Sequence, residues 1–166
     1  MNMYDASVPV FTHFLRSLAV ILKKAEVHCA AKKIDPAVIL NARLFPDMFA
    51  LTRQVQIACD TAKGVVARLA GVEIPAYEDN EKTLADLKAR VARTIAFIQT
   101  MTPAQIDGTE DKDIIVKRGD KETHYKGMQF LLGHGLPNLY FHTTTTYSML
   151  RASGVEIGKA DYLGKI

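Results

Sequence analysis

Asn138 and His142 stand four residues apart in a segment patterned as helix, which puts a carboxamide and an imidazole on one face, one turn from each other. Gln54 and Gln56 near the start of another helix, and His13 beside Val10 and Phe14 of a third, are further polar side chains that a helical protein can turn inward. Groups of this kind bind ligands, move protons or hold metals. The plainer alternative for each is a structural histidine or amide held by hydrogen bonds inside a half-buried face. Metal capture wants three or four His, Cys or carboxylate groups converging. The chain has no HxxxH, HExxH or CxxC, and His28, His124 and His134 fall where solvent exposure is expected.

Nucleophilic chemistry is not legible either. Neither Cys59 nor Ser148 has a histidine at a recognisable spacing or lies on a strained strand-to-helix turn. Gly133-His134-Gly135 lacks the spaced glycines, lysine and hydroxyl of a phosphate loop. Cys29 and Cys59 sit in apolar helical patterns and read as unpaired core thiols, which fits a reducing compartment.

The elements that must position these residues are mostly helical. Val10, Phe14, Leu18, Ile21, Leu22, Ala25 and Cys29 recur at three and four, predicting a first long helix from Tyr4 to about Ala31. Asp35-Pro36 starts a short turn of helix to Leu40. Asp47 is the expected cap of a second long helix, with Met48, Leu51, Val55, Ala58, Ala62, Val65 and Leu69 inward and Gly71 at its end. Asp79 or Asn80 is expected to cap a third, with Leu84, Leu87, Val91, Ile95 and Ile98 as its stripe and Thr102-Pro103 as its stop. Ile114 to Val116, a turn at Arg118-Gly119-Asp120 and Glu122 to Tyr125 predict a hairpin, which must pack on the helices to be stable. Met128 to Leu132 can form a helical turn. A fourth long helix runs from Pro137 to about Ser153, closed by Gly154. Thr143 to Thr146 are mediocre helix formers, so tertiary burial must hold that segment helical, with hydroxyls bonding back one turn. The tail from Val155 onward should wrap the surface.

The expected fold is therefore all-α: a four-helix bundle with a small β-hairpin inserted before the last helix, in one domain spanning 1–166. A chain of 166 residues buries enough surface to need no staple. A net charge of +3, with 21 basic residues spread along the chain, gives no stripe for nucleic acid. No apolar run approaches the roughly 18 to 20 residues that cross a bilayer. Met1 to Pro9 lacks the pattern of a signal peptide, so a cytoplasmic location is expected.

The run Leu136-Pro137-Asn138-Leu139-Tyr140-Phe141-His142, with Tyr147, Leu150-Arg151, Gly154 to Lys159 and Asp161 to Gly164, resembles a bacterial family of unknown function, numbered nineteen-ninety-three. Arg43-Leu44, Asp47-Met48, Gln54-Val55 and Arg68-Leu69-Ala70-Gly71 extend the resemblance over nearly the whole chain. That family looks related to the DinB/YfiT-like superfamily of antiparallel four-helix bundles. Many of its members are metal-dependent enzymes, thiol transferases among them, and they commonly form dimers. The resemblance implies a divalent metal held by one histidine on the second long helix and two, four residues apart, on the fourth. His142 falls at one of those positions, Asn138 at another and Gln54 near the third. Carboxamides replace two of three ligands, and they bind transition metals far more weakly than imidazole does. The expectation is a ligand pocket of Gln54, Asn138 and His142 with Tyr140 or Tyr147 near its mouth, in a homodimer. A site without a cofactor is expected in preference to one with a divalent metal at His142.

Three functions compete on this reading. The first is a small-molecule-binding or stress-related bundle with a degenerate metal site. The second is a metal-dependent transferase or hydrolase in which His142 is joined by substitute ligands such as His13 or a carboxylate. The third is a structural role in which the polar trio fixes helix register and the working surface is a dimer interface.

Overall fold

Phe11, Leu15, Leu18, Leu22, Ala25 and Cys29 recur at three and four and are all buried, which is why Val8–Lys32 folds as one long helix, α1. The structure, a computed structural model, describes residues 2–165. Pro9 lies in the first turn of α1, where its missing N–H has no partner to lose. The helix starts at Val8 and not at Tyr4, because Ser7 Oγ donates to Met3 O (2.7 Å) and ties the preceding residues into a turn. The short helix α2 (Pro36–Leu40) begins as expected, with Asp35 accepting from Ala37 N.

Two expected caps are displaced, each for a visible reason. Helix α3 (Leu51–Ala70) has no side-chain cap at Ala50, and Asp47 lies outside it, exposed. Its first N–H, that of Leu51, already has a backbone partner in Ala42 O (3.0 Å). Helix α4 (Leu84–Ile98) is capped by Thr83, whose hydroxyl accepts from Asp86 N while the Asp86 carboxylate accepts from Thr83 N. Of the two expected caps, Asp79 is drawn instead into ion pairs with Arg53 and Arg90, and Asn80 donates to the Glu78 carboxylate.

A four-residue helix, α5 (Pro103–Ile106), leads to strands β1 (Asp113–Arg118) and β2 (Lys121–Lys126), paired antiparallel with Ile114 opposite Tyr125. Ile114 is buried, and Val116 and Tyr125 lie against the core, so the hairpin is packed on the helices as its length requires. Lys112 Nζ also donates to Leu69 O (2.8 Å). The chain then runs helically from α6 (Gly127–Phe130) through a π-helical turn, Leu131–Gly135, into α7 (Leu136–Ala152). Pro137 explains the wide turn: it cannot donate to the carbonyl four residues back and its ring pushes that carbonyl aside. Thr143, Thr145 and Thr146 bond back to the carbonyls of Leu139, Phe141 and His142, so their buried hydroxyls are satisfied within α7.

Of the long helices, α1 packs on α4 and α7, and α3 packs on the same two. Gln54 meets His142, Thr61 meets Asn138, and Val65 lies against Gly135. The partner numbers fall as those of α3 rise, so α3 and α7 run antiparallel. Gly135 lets them pack closely here, since a Cβ there would lie 2.8 Å from Val65 Cγ2. The tail crosses back over α1: Val155 and Ile157 are buried, and α8 (Lys159–Leu163) is fastened by Lys24 to Asp161 (2.6 Å) and His13 Nε2 to Leu163 O (2.6 Å). Cys29 and Cys59 are buried free thiols, and burial pushes the Cys59 thiol up to about 12, which keeps it protonated and inert. Among the described residues, no helix is long and apolar enough to cross a membrane.

Candidate functional site

One face of α3 and one face of the α6–α7 run leave a cleft of about 450 Å³ between them, with the hairpin and Phe49 at its rim. Helical spacing explains its lining. Arg53, Ile57, Thr61, Gly64 and Arg68 follow one another at three or four along α3, and Phe130, His134, Asn138 and His142 at four along the opposite wall. Val116 and Lys117 of β1 lean in from the hairpin side.

His142 is the best-defined group. Its Nδ1 lies 2.7 Å from Gln54 Oε1, and Gln54 Nε2 donates to Phe49 O (3.2 Å), which fixes the amide with its oxygen toward the ring. Nδ1 therefore carries the proton and Nε2 keeps its lone pair. Nε2 has no hydrogen-bond partner among the described residues. Nor is it one of the buried unpartnered atoms, so it is reached from the cleft that His142 lines. Burial, followed by the positive charge of Arg53, lowers the His142 pKa to about 4, and the ring is neutral at pH 7. Asn138 does not join this pair. Its Nδ2 donates to Thr61 Oγ1 (2.7 Å) across the cleft, leaving its carbonyl oxygen to the cavity.

The residues present do not fit the divalent metal that the fold resemblance implies. Three donors would have to aim at one ion, whereas Gln54 Oε1 and His142 Nδ1 bond to each other and the Asn138 amide is turned to Thr61. His13, considered as a substitute ligand, is tied to Leu163 O and does not line the cleft. Among the described residues, no three His, Cys, Asp or Glu side chains converge.

Tyr140 and Tyr147, expected at the mouth, are elsewhere. Tyr140 packs on Phe14 (4.8 Å between ring centres) and Tyr147 on Tyr162 (6.1 Å), on the side of α7 that faces α1 and α8. Helical phase is the reason: Tyr140 lies two residues from both Asn138 and His142, hence on the opposite side of the helix.

His134, Arg53 and Arg68 add polar groups to the lining beyond those that the sequence singles out. His134, expected at the surface, is half-buried in the π-helical turn, with its ring stacked on Phe130 at 5.5 Å. The spacing of four from His134 to Asn138 to His142 was the available signal. Single π-helical turns are frequent at functional sites. Arg53 donates to Gln56 and pairs with Asp79 at 2.5 Å. Arg68 donates from Nη1 to Gly64 O (2.9 Å), and its guanidinium lies where a Cβ on residue 64 would meet Nη1 at 2.8 Å. The repeat of seven from Gln54 through Thr61 to Arg68 marks that polar stripe.

Behind the cleft, Arg90 of α4 is buried and holds Glu81 (2.8 Å), Asp60 (2.9 Å) and Asp79 (3.0 Å), while Gln56 donates to Glu81. Tyr77 is flanked by Lys63 and Arg93, each 3.9 Å from its ring centre. This network fastens the 72–83 connection to α3 and α4, and it occupies the one acid of the cleft, Asp60, with Arg90 and Lys63.

Comparison with known proteins agrees with the architecture. The family described as "Domain of unknown function (DUF1993)" matches residues 3–163. A crystal structure described as a DinB family member protein from Shewanella denitrificans is 43% identical, with a TM-score of 0.89 over 98% of this chain and 92% of that one. Among curated proteins, none matches.

Proposed function

The chain belongs to the DUF1993 family, related to the DinB-like proteins, and from that premise we propose that it binds a small molecule in the α3–α7 cleft, without a superfamily-type metal centre. The observation that carries this reading is the hydrogen bond between His142 and Gln54. A histidine kept neutral, oriented by a second side chain and left with one free lone pair on a cavity is a recognition group for a donor on a ligand. The cleft volume of about 450 Å³ lies within the range of small-molecule sites, roughly 300–1,000 Å³. Its polar groups, Asn138, His142 and Thr61, sit beside the apolar Ile57, Val65 and Phe130, the mixture by which such sites orient a ligand.

In this reading the four long helices form an antiparallel four-helix bundle of DinB type, in one domain over 1–166. The pairwise packing of α1 and α3 on both α4 and α7 supports it. The protein works in the cytoplasm as a homodimer, supported by the family resemblance and by Phe45 and Phe49, 63% and 54% exposed. Light scattering at working concentration tests the dimer.

The test of the cleft is a neutral-fragment screen by calorimetry, run on wild type and on His142→Ala. Fragments that bind wild type and lose affinity in the variant support the reading. Equal silence of both proteins, or fragments that bind both equally, overturns it.

A further inference from the structure

We propose that the cleft takes an elongated organic anion, with its carboxylate or phosphate seated on Arg68 and a hydrogen-bond donor at its other end meeting His142 Nε2. This names a ligand class for the cleft and so rests on the small-molecule reading above.

Arg68 differs from the other arginines that adjoin the cleft. Arg53 and the buried Arg90 each hold carboxylates. Arg68 is half-buried, and among the described residues no carboxylate lies within ion-pair distance of it. Burial lowers its pKa, which marks a cation that has lost water without gaining a counter-charge. Only Nη1 is engaged, on Gly64 O, and the remaining guanidinium donors have no partner in the described chain. They do not appear among the buried unpartnered atoms either, so they face accessible space. A planar fork with free donors matches the two oxygens of a carboxylate or phosphate. Phe130, 6.0 Å below the guanidinium carbon, holds that plane in position. The one acid in the cleft, Asp60, is neutralised from behind by Arg90 and Lys63 and does not compete.

Length follows from the helix. The guanidinium rests at the level of Gly64, and His142 is held from Gln54, positions about 15 Å apart along α3 at ~1.5 Å per residue. Between them the Asn138 carbonyl oxygen and Thr61 offer polar contacts to the middle of a ligand. A bare inorganic anion would fill only the Arg68 end.

The experiment compares ω-hydroxy carboxylates of increasing chain length with their primary amides, by calorimetry and by nitrogen-15 NMR of the histidine ring. The proteins are wild type, Arg68→Gln, Arg68→Lys and His142→Ala. The expected result is carboxylate affinity at least about tenfold above the matched amide, weakened by salt, lost in Arg68→Gln and partly kept in Arg68→Lys. One range of chain lengths should also move the His142 Nε2 signal. The wild-type comparison needs no variant, so it stands even if Arg68→Gln does not fold. Equal binding of acids and amides, or an acid preference that survives in a folded Arg68→Gln protein, overturns the anion and leaves the cleft standing. Silence of both series while neutral fragments still shift His142 has the same meaning. If neutral fragments are silent as well, the small-molecule reading falls with it.

Discussion

The Nδ1 atom of His142 and the Oε1 atom of Gln54 lie 2.7 Å apart across the α3–α7 seam, so one hydrogen bond fixes both the tautomer of the ring and the register of the two helices. Much of what can be measured on this protein follows from that contact and from the groups around it.

His142 should make stability pH-dependent. Its folded pKa of about 4 lies below the ordinary 6.5, so between these values the unfolded chain binds the proton more tightly. Its contribution is fully present above pH 6.5 and is lost as pH falls towards 4, a change on the order of 2–3 kcal/mol. Urea unfolding at pH 7 and pH 4.5, for wild type and His142→Gln, checks this. The variant should lose less stability than wild type on acidification, and parallel losses would contradict the assignment.

Introducing histidines should create what the natural residues do not supply. The double variant Gln54→His, Asn138→His places three imidazoles where the family resemblance implies metal ligands, whereas wild type has one. Zinc or nickel at about a hundredfold excess over Kd should stabilise the double variant by roughly 2.7 kcal/mol and leave wild type unchanged in thermal unfolding. Equal stabilisation of wild type would show that His142 already has metal partners.

Arg90→Ala should be among the most destabilising single changes. It leaves Glu81, half-buried and accepting from Gln56, without its counter-charge, at a cost of about 3 kcal/mol. The double variant Arg90→Met, Glu81→Leu should recover part of that loss. Denaturant midpoints for the three proteins decide it, and a loss under about 1 kcal/mol for Arg90→Ala would mean the network is solvated.

Gly135→Ala should push the seam apart. The added methyl meets Val65 Cγ2 at 2.8 Å and Cγ1 at 3.1 Å, an overpacking that costs about 1–3 kcal/mol. Pairing it with Val65→Ala should relieve the strain. Failure of that pairing to recover stability in thermal unfolding would place the strain elsewhere.

The long helices were legible because Leu, Ile, Val and Ala recur at three and four with enough repeats to outweigh local noise. Asp35-Pro36, Gly71 and the hairpin were legible from turn chemistry alone. The caps of α3 and α4 were not. Asp79 is a good capping residue locally, but two arginines distant in sequence claim its carboxylate. At the site, the one face shared by Asn138 and His142 was readable from spacing, and the place of Gln54 from the family pattern. What Asn138 bonds to was not, since Thr61 comes from another helix. Arg90 was invisible because a charged side chain on a helix reads as solvent-facing until its three acids are brought to it.

The hairpin remains the least anchored part of the cleft's perimeter. Its two strands pair only with each other, and of their described side chains Ile114 alone is fully buried. By contrast α3 and α7 are joined through the Gln54–His142 and Thr61–Asn138 hydrogen bonds and the Val65–Gly135 contact. Two sides of the cleft are thus set by long helices packed along their length, and its third side, Val116 and Lys117, is carried on a ribbon of two strands.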